Sequence, residues 1–449
     1  MNSFNLAYTL EIGDREIIAA YGGGGKTTLL NRLARELAGT GQKVLLTTTT
    51  KILRPDNIPV VVTPSLKEAM VQIRKLFNQH SIVVLGSSPL ANNKIKGIEA
   101  NWLEELSAFV PYILVEADGA ARKPIKGFAS FEPVFPPNAT LLLPLLGLDA
   151  LGVKLDAQNV HRPELLGEIV GIRHGEKINI AHINRYLQYA IKLGTEAVPG
   201  ARIITVINKM DLLAEPASIQ EIKGYLSGHL AVNRLLFTSL QDNFPVKFVF
   251  DPARPIPFIS CVTLAAGCSE RMGKDKLALK IKDKTILELS VGNALQSKVG
   301  EVIVVTRPES LWVKELFQGQ SVKVVVNPFY RQGISSSLKE GLAALHPLSQ
   351  GAIFALGDQP FIEADVYNNL IEAYDRKLRM ITCPLYEGKR GNPVLFDRRT
   401  WPALLELKGD RGGQQLFAHL PDNEIYNVET SCSGVLEDID TPDDYQELL

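Results

Sequence analysis

At 449 residues the chain is too long for one hydrophobic core, which stops growing near roughly 250–300 residues, so two domains are expected. Hydrophobic residues make up 45%, charged residues 22%, and the net charge is -1, so no global basic field recruits nucleic acid or an anionic membrane, and neither is an expected partner. The four cysteines, Cys261, Cys268, Cys383 and Cys432, include no C-x-x-C pair and read as isolated reduced thiols rather than a disulfide framework. The first residues, MNSFNLAYTLEIGDREIIAAYGGGG, lack a basic stretch followed by an apolar run and a cleavage site. The longest apolar runs are too short to span a bilayer, which makes a soluble, cytoplasmic protein the expectation.

In chain order, Glu16-Ile17-Ile18-Ala19-Ala20 reads as a strand, Tyr21-Gly22-Gly23-Gly24-Gly25-Lys26-Thr27-Thr28 as a Gly-rich turn, and LLNRLARELA as an amphipathic helix. The turn resembles a P-loop, although Ala20 stands where the G-x-x-x-x-G-K-[ST] pattern has its first glycine. A strand before it and a helix after it are the context in which backbone N–H groups and a lysine cradle phosphates. Gly24, Gly25, Lys26, Thr27 and Thr28 are therefore candidate nucleotide ligands. KVLLTTTT, SIVVLG, YILVEAD, TLLLPLLG and ARIITVINK follow as candidate buried strands. Glu116 and Asp118 end one of them and are candidates for holding a metal ion or its water, as a Walker-B carboxylate does. Arg122, Lys123 and Lys126 stand nearby and fit either an anion site or a solvated basic loop. Asn208-Lys209-Met210-Asp211 ends another strand and looks like the N-K-x-D guanine-reading motif, with Asn208, Lys209 and Asp211 as its candidate residues.

Three prolines within Asp251-Pro252-Ala253-Arg254-Pro255-Ile256-Pro257 cannot continue a helix or a central strand. The expected division is thus 1–250, a linker at 251–258, and 259–449. The second half restarts with a strand, Ile259 to Leu264, then the small residues Ala265-Ala266-Gly267, with Arg271 and Lys276 as cations suited to phosphates. EVIVVT, VKVVVN, GAIFALGD and RMITCPLY are further strand candidates. Continuous apolar runs alternating with helical patterns indicate mainly parallel sheets, whose ligands sit at the carboxyl ends of the strands. Asp358 leaves such an end and is suited to Mg²⁺. In Asp438-Ile439-Asp440-Thr441-Pro442-Asp443-Asp444, alternation puts Asp438 and Asp440 on one side, and Thr441-Pro442 starts a helix.

LAAGCSERMGKDKLAL, NPFYRQGISSSLKEGL, ALGDQPFI, RGNPVLF, GDRGGQQLF and DIDTPDDY, in that order, resemble the MobA/MocA-type nucleotidyltransferases, specifically the molybdenum cofactor cytidylyltransferases. The resemblance implies a Rossmann-like fold with a mixed sheet and an enzyme of the EC 2.7.7 class. It implies nucleotide binding by Leu264, Ala265, Ala266, Gly267, Gly333, Ser335, Ser336 and Ser337. It also implies catalytic roles for Arg271, Lys276, Asp358 and Asp440, with Mg²⁺ on the two aspartates. Asn392, Pro393, Asp410 and Gly412 would shape the acceptor side. Asp440 and the GISSSL stretch tilt the nucleotide toward CTP by resemblance, with the molybdenum cofactor as the acceptor. GGGGKTT, TTTTKI, VEADGAARKPIK, LDALGVKL, VHRPE and VINKMD resemble the YqeC family, proposed accessory proteins of selenium-dependent molybdenum hydroxylases. That resemblance implies a molybdenum hydroxylase apo-enzyme as partner, while the P-loop-like turn and the N-K-x-D pattern make GTP or ATP the expected ligand of the first half.

The fold class expected is α/β, with two Rossmann-like three-layer domains, the first P-loop-like and the second a nucleotidyltransferase-type mixed sheet. Two other readings stay open: nucleotidyl transfer to a sugar phosphate or another alcohol phosphate, and a GTP-gated cofactor-delivery module.

Overall fold

The computed structural model describes residues 5–212, 219, 221, 224, 234–251, 254, 256–267 and 275–448. The chain divides into two compact units between residues 253 and 254.

In the first unit the described residues form a nine-stranded sheet: β1 (Glu16–Gly22), β2 (Val44–Thr48), β3 (Val60–Val62), β4 (Ile82–Gly86), β5 (Tyr112–Glu116), β6 (Leu141–Gly147), β7 (Arg202–Asn208), β8 (Arg234–Thr238) and β9 (Val246–Phe250). The order across the sheet is β9-β8-β7-β6-β1-β5-β2-β4-β3, parallel throughout except for β9 against β8. Every residue of β1 and β6 is buried, which accounts for their mainly apolar sequences, with Glu16 as the exception at the start of β1. Helices α1 (Lys26–Gly39), α2 (Leu66–Phe77) and α3 (Ile180–Ala197) cover the sheet, and α3 opens on a capping box between Asn179 and His182. After β1 the chain runs to β2 on one side of the sheet, and after β5 it crosses to β6 on the other. The end of β1 is therefore a topological switch point, where α/β sheets open a crevice. The Gly-rich turn lies there.

The second unit repeats this plan with a mixed, eight-stranded sheet. Its strands are β10 (Ile259–Ala265), β11 (Glu301–Thr306), β12 (Val322–Val326), β13 (Gly351–Leu356), β14 (Ile381–Tyr386), β15 (Lys389–Arg390), β16 (Val394–Asp397) and β17 (Ile425–Glu429). They run in the order β12-β11-β10-β13-β16-β14-β15, with β17 parallel to β14. β16 is antiparallel to both of its neighbours. Helices α4 (Ile286–Leu295), α5 (Ile334–Ala343), α6 (Ala364–Lys377) and α7 (Pro442–Gln446) complete it, α4 and α7 each opening on a capping box. β10 again sits at the switch point, flanked by β11 and β13. β12 departs from the fully buried strand expected of its valines. It is half exposed because it forms the sheet edge and pairs only with β11 among the described residues. No helix among the described residues is long and apolar enough to cross a membrane.

Candidate functional site

A cleft of about 650 Å³ opens at the carboxyl ends of β10 and β13. Leu264, Ala265, Ala266 and Gly267 form one wall, Gly333, Ile334 and Ser337 at the start of α5 another, and Lys276, Asp358, Asp410 and Asp440 stand along it. Its charged centre is one ammonium between two carboxylates: Lys276 Nζ donates to Asp358 Oδ2 and to Asp440 Oδ1, each at 2.6 Å. Burial works against the charged lysine, but the two aspartates hold its pKa above the ordinary lysine value. The two acids converge because Asp358 follows β13 directly, while the terminal segment lies against it through Ile439 N–H donating to the Asp358 carbonyl at 3.1 Å. Asp438 joins the cluster. Burial, then Asp440 and Asp358, push its carboxyl above the usual aspartate range. Gly333 sits at φ +95°, and a Cβ there would meet the Gly409 carbonyl carbon at 2.4 Å, so only glycine lets the Asp410 loop close over the start of α5.

In the first unit the turn Gly22–Gly25 is packed from outside. Gly24 N–H donates to the Lys123 carbonyl and Gly23 N–H to the Leu145 carbonyl, both at 3.0 Å. The N–H groups of Gly25, Lys26, Thr27 and Thr28 open α1 and have no acceptor among the described residues. Lys26 is buried; its Nζ donates to the Gly22 carbonyl at 2.6 Å and lies 3.1 Å from Asp118 Oδ1. Thr27 Oγ1 donates to Glu116 Oε2 at 2.9 Å, and burial raises the Glu116 carboxyl above its ordinary value. Asp118 is fully buried and spent on protein groups: Gly22 N–H reaches both its oxygens, Lys26 one of them, and Lys126 the other at 3.0 Å. Lys126 also donates to Glu132 at 2.8 Å, and Glu132 accepts from Arg162.

Residues 261–424 match the MobA-like NTP transferase domain, and residues 18–164 match the YqeC protein family. The molybdenum cofactor cytidylyltransferase of Escherichia coli (strain K12) is 30% identical over 188 residues, covering 42% of this chain and 93% of its own length. The chain belongs to the MobA-like NTP transferase family. Its first unit carries a YqeC domain, 26% identical over 229 residues to the uncharacterized protein YqeC of the same strain, covering 50% of this chain and 88% of that protein. Among solved structures, Rv0371c from Mycobacterium tuberculosis H37Rv is 29% identical, with a TM-score of 0.39, over 43% of this chain and 98% of that one. The second unit of this NTP transferase is a nucleotidyltransferase.

Its cleft gathers Leu264–Gly267, Lys276, Gly333, Ser337, Asp358, Asp410 and Asp440, as the sequence led us to look for. Ser335 and Ser336 turn elsewhere, into a depression shared with Phe329, Lys339 and Leu407. Ser336 and Ser337 both accept from the buried Asn327 amide, at 2.8 and 3.0 Å, so much of that serine run braces the start of α5. Asn392 and Pro393, joined by a cis peptide bond, do not line the cleft; Asn392 N–H donates to the Val435 carbonyl. Gly412 lies near Ile334 at the cleft edge. Arg271 and Cys268 fall outside the described residues. Tyr330 and Arg331 line the cleft without having been singled out; a cation and an aromatic just before Gly333 were the available signal.

In the YqeC domain the corrections are larger. Both Asp118 oxygens are taken by lysines and a backbone N–H, while Glu116 is the acid beside Thr27. Lys126 is no solvated loop cation, and Lys123 donates to the Gln158 carbonyl. Asn208 is buried and occupied: its amide donates to the Gly24 carbonyl at 2.8 Å, and its oxygen accepts from Thr238 Oγ1 and Leu240 N–H. Lys209 pairs with Asp149. Asp211 is exposed, its backbone N–H donating to Ser239 Oγ at 3.1 Å. Thr238-Ser239-Leu240, at the end of β8, thus belong to the same corner, and no sequence feature had pointed to them.

Proposed function

We propose that the second unit transfers CMP from CTP to the terminal phosphate of the molybdenum cofactor and releases pyrophosphate. The observation that carries the reading is the convergence of Asp358 and Asp440 on one cation in a cleft walled by small residues. The identity to a relative named molybdenum cofactor cytidylyltransferase supports the choice of nucleotide and acceptor. Two carboxylate oxygens, each 2.6 Å from one ammonium, fit a hard divalent cation in the place where the lysine now stands in for it. Mg²⁺ held by Asp358 and Asp440 would supply Lewis-acid polarisation and neutralise phosphoryl charge. The protein's own part is alignment. Leu264–Gly267 let a triphosphate approach the backbone, and Lys276 exchanges its aspartates for phosphate oxygens, stabilising the departing pyrophosphate. Arg271 is assigned to the same task. The acceptor phosphate is ionised near neutral pH and attacks the α-phosphorus in line, so no strong general base is required.

The test is to incubate the protein with each NTP, Mg²⁺ and molybdenum cofactor and measure pyrophosphate. CTP with the cofactor is expected to give the fastest release. Faster release with GTP, or with a sugar phosphate as acceptor, would replace this reading by a guanylyl or sugar-phosphate one.

The YqeC domain we read as an NTP-binding accessory module for molybdenum hydroxylase maturation. Free N–H groups at the start of α1, Lys26 and the Thr27–Glu116 pair support a triphosphate with its cation there. The exposed Asp211 beside Ser239 favours GTP, since its carboxylate can accept from the guanine N–H donors. Titrating the full chain with labelled GTP and ATP should show GTP binding more tightly. Lys26→Ala should weaken both by about 2 kcal/mol, as for a charge-assisted contact. Asp211→Ala should make the two nucleotides equal. Equal affinities that survive both substitutions would leave this turn a scaffold.

A further inference from the structure

We propose that Arg307 is a positioning residue for nucleotidyl transfer: its guanidinium fixes the Gly267 end of the small-residue wall relative to Lys276. Arg307 follows β11 and lies outside the cleft. Its Nη1 donates to the Gly267 carbonyl at 2.6 Å, its Nη2 to Asp275 Oδ2 at 3.1 Å, and its Nε to Ser310 Oγ at 3.1 Å. Gly267 ends the small-residue wall, and Asp275 immediately precedes Lys276. One planar fork thus ties the end of the small-residue wall to the residue that precedes the lysine.

The Asp275 end is reinforced. The same Oδ2 also accepts from Ser310 Oγ at 3.1 Å and from Trp312 Nε1 at 3.2 Å. Three donors converge on one oxygen of a side chain that is mostly covered, as is Arg307 itself. A helix or turn start at Lys276 would need one cap, and Asp275 makes no side-chain cap to that turn. Its Oδ2 is turned toward Arg307, Ser310 and Trp312. The arrangement has the form of a brace, with Arg chosen because a fixed fork can hold two acceptors at once while a lysine ammonium, a compact point charge on a flexible stem, holds the geometry poorly.

The consequence is specific to the nucleotide. Lys276 must meet the departing phosphates while the Ala265–Gly267 backbone receives the same triphosphate, and a misplacement of about 1 Å between such groups costs on the order of 100-fold. The acceptor side, near Asp410, makes none of these contacts. This proposal rests on the reading of the cleft as the nucleotide site.

The experiment is steady-state pyrophosphate release by the full chain with CTP, Mg²⁺ and molybdenum cofactor. It is run for wild type, Arg307→Ala, Arg307→Lys, Trp312→Phe, Lys276→Ala and the double variant Arg307→Ala/Lys276→Ala. Arg307→Ala is expected to raise the KM for nucleotide roughly 10–100-fold and leave the KM for acceptor within about twofold. Arg307→Lys should recover only part of this. Trp312→Phe, which removes one donor to Asp275 and keeps the ring, should shift the same constant by a smaller factor. In the Lys276→Ala background, Arg307→Ala should add less than about threefold, because the group it positions is already gone. A wild-type KM in Arg307→Ala, an equal rise for both substrates, or an undiminished effect in the double variant would overturn the proposal. A wild type that releases no pyrophosphate from any NTP would instead overturn the reading of the cleft. If Arg307→Ala fails to fold, the Trp312→Phe result decides alone, and an unchanged nucleotide KM there overturns the brace.

Discussion

Asp358→Asn and Asp440→Asn should each lower pyrophosphate release by at least roughly 10²–10³-fold, the scale on which a single pre-organised electrostatic group acts in a transition state. Each carboxylate is one of two that close on the Lys276 ammonium. In the proposed reaction Lys276 turns to the phosphates, and the two aspartates are the residues that would hold Mg²⁺. An amide keeps the shape and one oxygen but loses the charge, so the site retains a single anion for a divalent ion. The fold should survive, because both side chains keep access to solvent, Asp440 more than Asp358, and neither is a core contact. A control lies three residues beyond Asp440. Asp443 sits in the first turn of α7, where it favours the helix N-terminus, and Asp443→Asn should leave turnover within about twofold. Rates are read as pyrophosphate release at saturating CTP, with thermal unfolding of each variant alongside. Wild-type turnover in Asp358→Asn or Asp440→Asn would remove that residue from the metal site.

What could be read in advance followed from local pattern. β1, β6, β10 and β13 are mainly apolar because nearly all of their residues are buried, and the Gly-rich turn, Ala265–Gly267 and Asp358 stand where such runs end. Asp358 and Asp440, distant in sequence, were paired by resemblance alone, and the fold brings them to one ammonium. Illegible features depended on tertiary pairing. Lys126 stands in the sequence Arg-Lys-Pro-Ile-Lys, which reads as a solvated basic loop, yet pairing of Ile125–Lys126 with Val160–His161 draws its side chain inside. The serines after Gly333 look alike in sequence, but the 3.6-residue helical turn sends Ser337 into the cleft and Ser335 and Ser336 away from it. Asn208 carried a base-reading pattern, and its amide instead ties the Gly-rich turn to the end of β8. No periodicity encodes such a cross-strand tie. β16 and β17, short and antiparallel or late in the chain, also lacked the long apolar signal that marked the other strands.

Lys126→Met should be the most destabilising single substitution among the charged groups of the YqeC domain, whereas Lys26→Ala, at the neighbouring lysine, should cost far less stability. Both ammoniums face the buried Asp118. Lys126 is wholly buried and serves three acceptors: Asp118 at 3.0 Å, Glu132 at 2.8 Å and the Gly119 carbonyl at 2.6 Å. Although burial opposes it, hydrogen bonds from Lys126 and Arg162 hold the Glu132 carboxyl below the usual range, so it too stays charged. Removing the Lys126 ammonium leaves Asp118 with Lys26 and the Gly22 N–H, and Glu132 with Arg162 as its remaining cation. Breaking a buried pair in this way costs about 3–5 kcal/mol. At roughly 2–4 °C per kcal/mol for a unit of this size, the melting transition should fall by on the order of 10 °C. Lys26→Ala leaves Asp118 with Lys126 and the Gly22 N–H, so most of its charge remains compensated. That asymmetry suits the proposed phosphate role of Lys26, whose departure would leave Asp118 compensated by Lys126. The measurement is calorimetric unfolding of the full chain, comparing the transitions of wild type, Lys126→Met and Lys26→Ala. A Lys126→Met transition within about 2 °C of wild type would show that the cluster carries no such burden. Adding Glu132→Gln to Lys126→Met should then recover part of the loss, because one of the two stranded charges is gone.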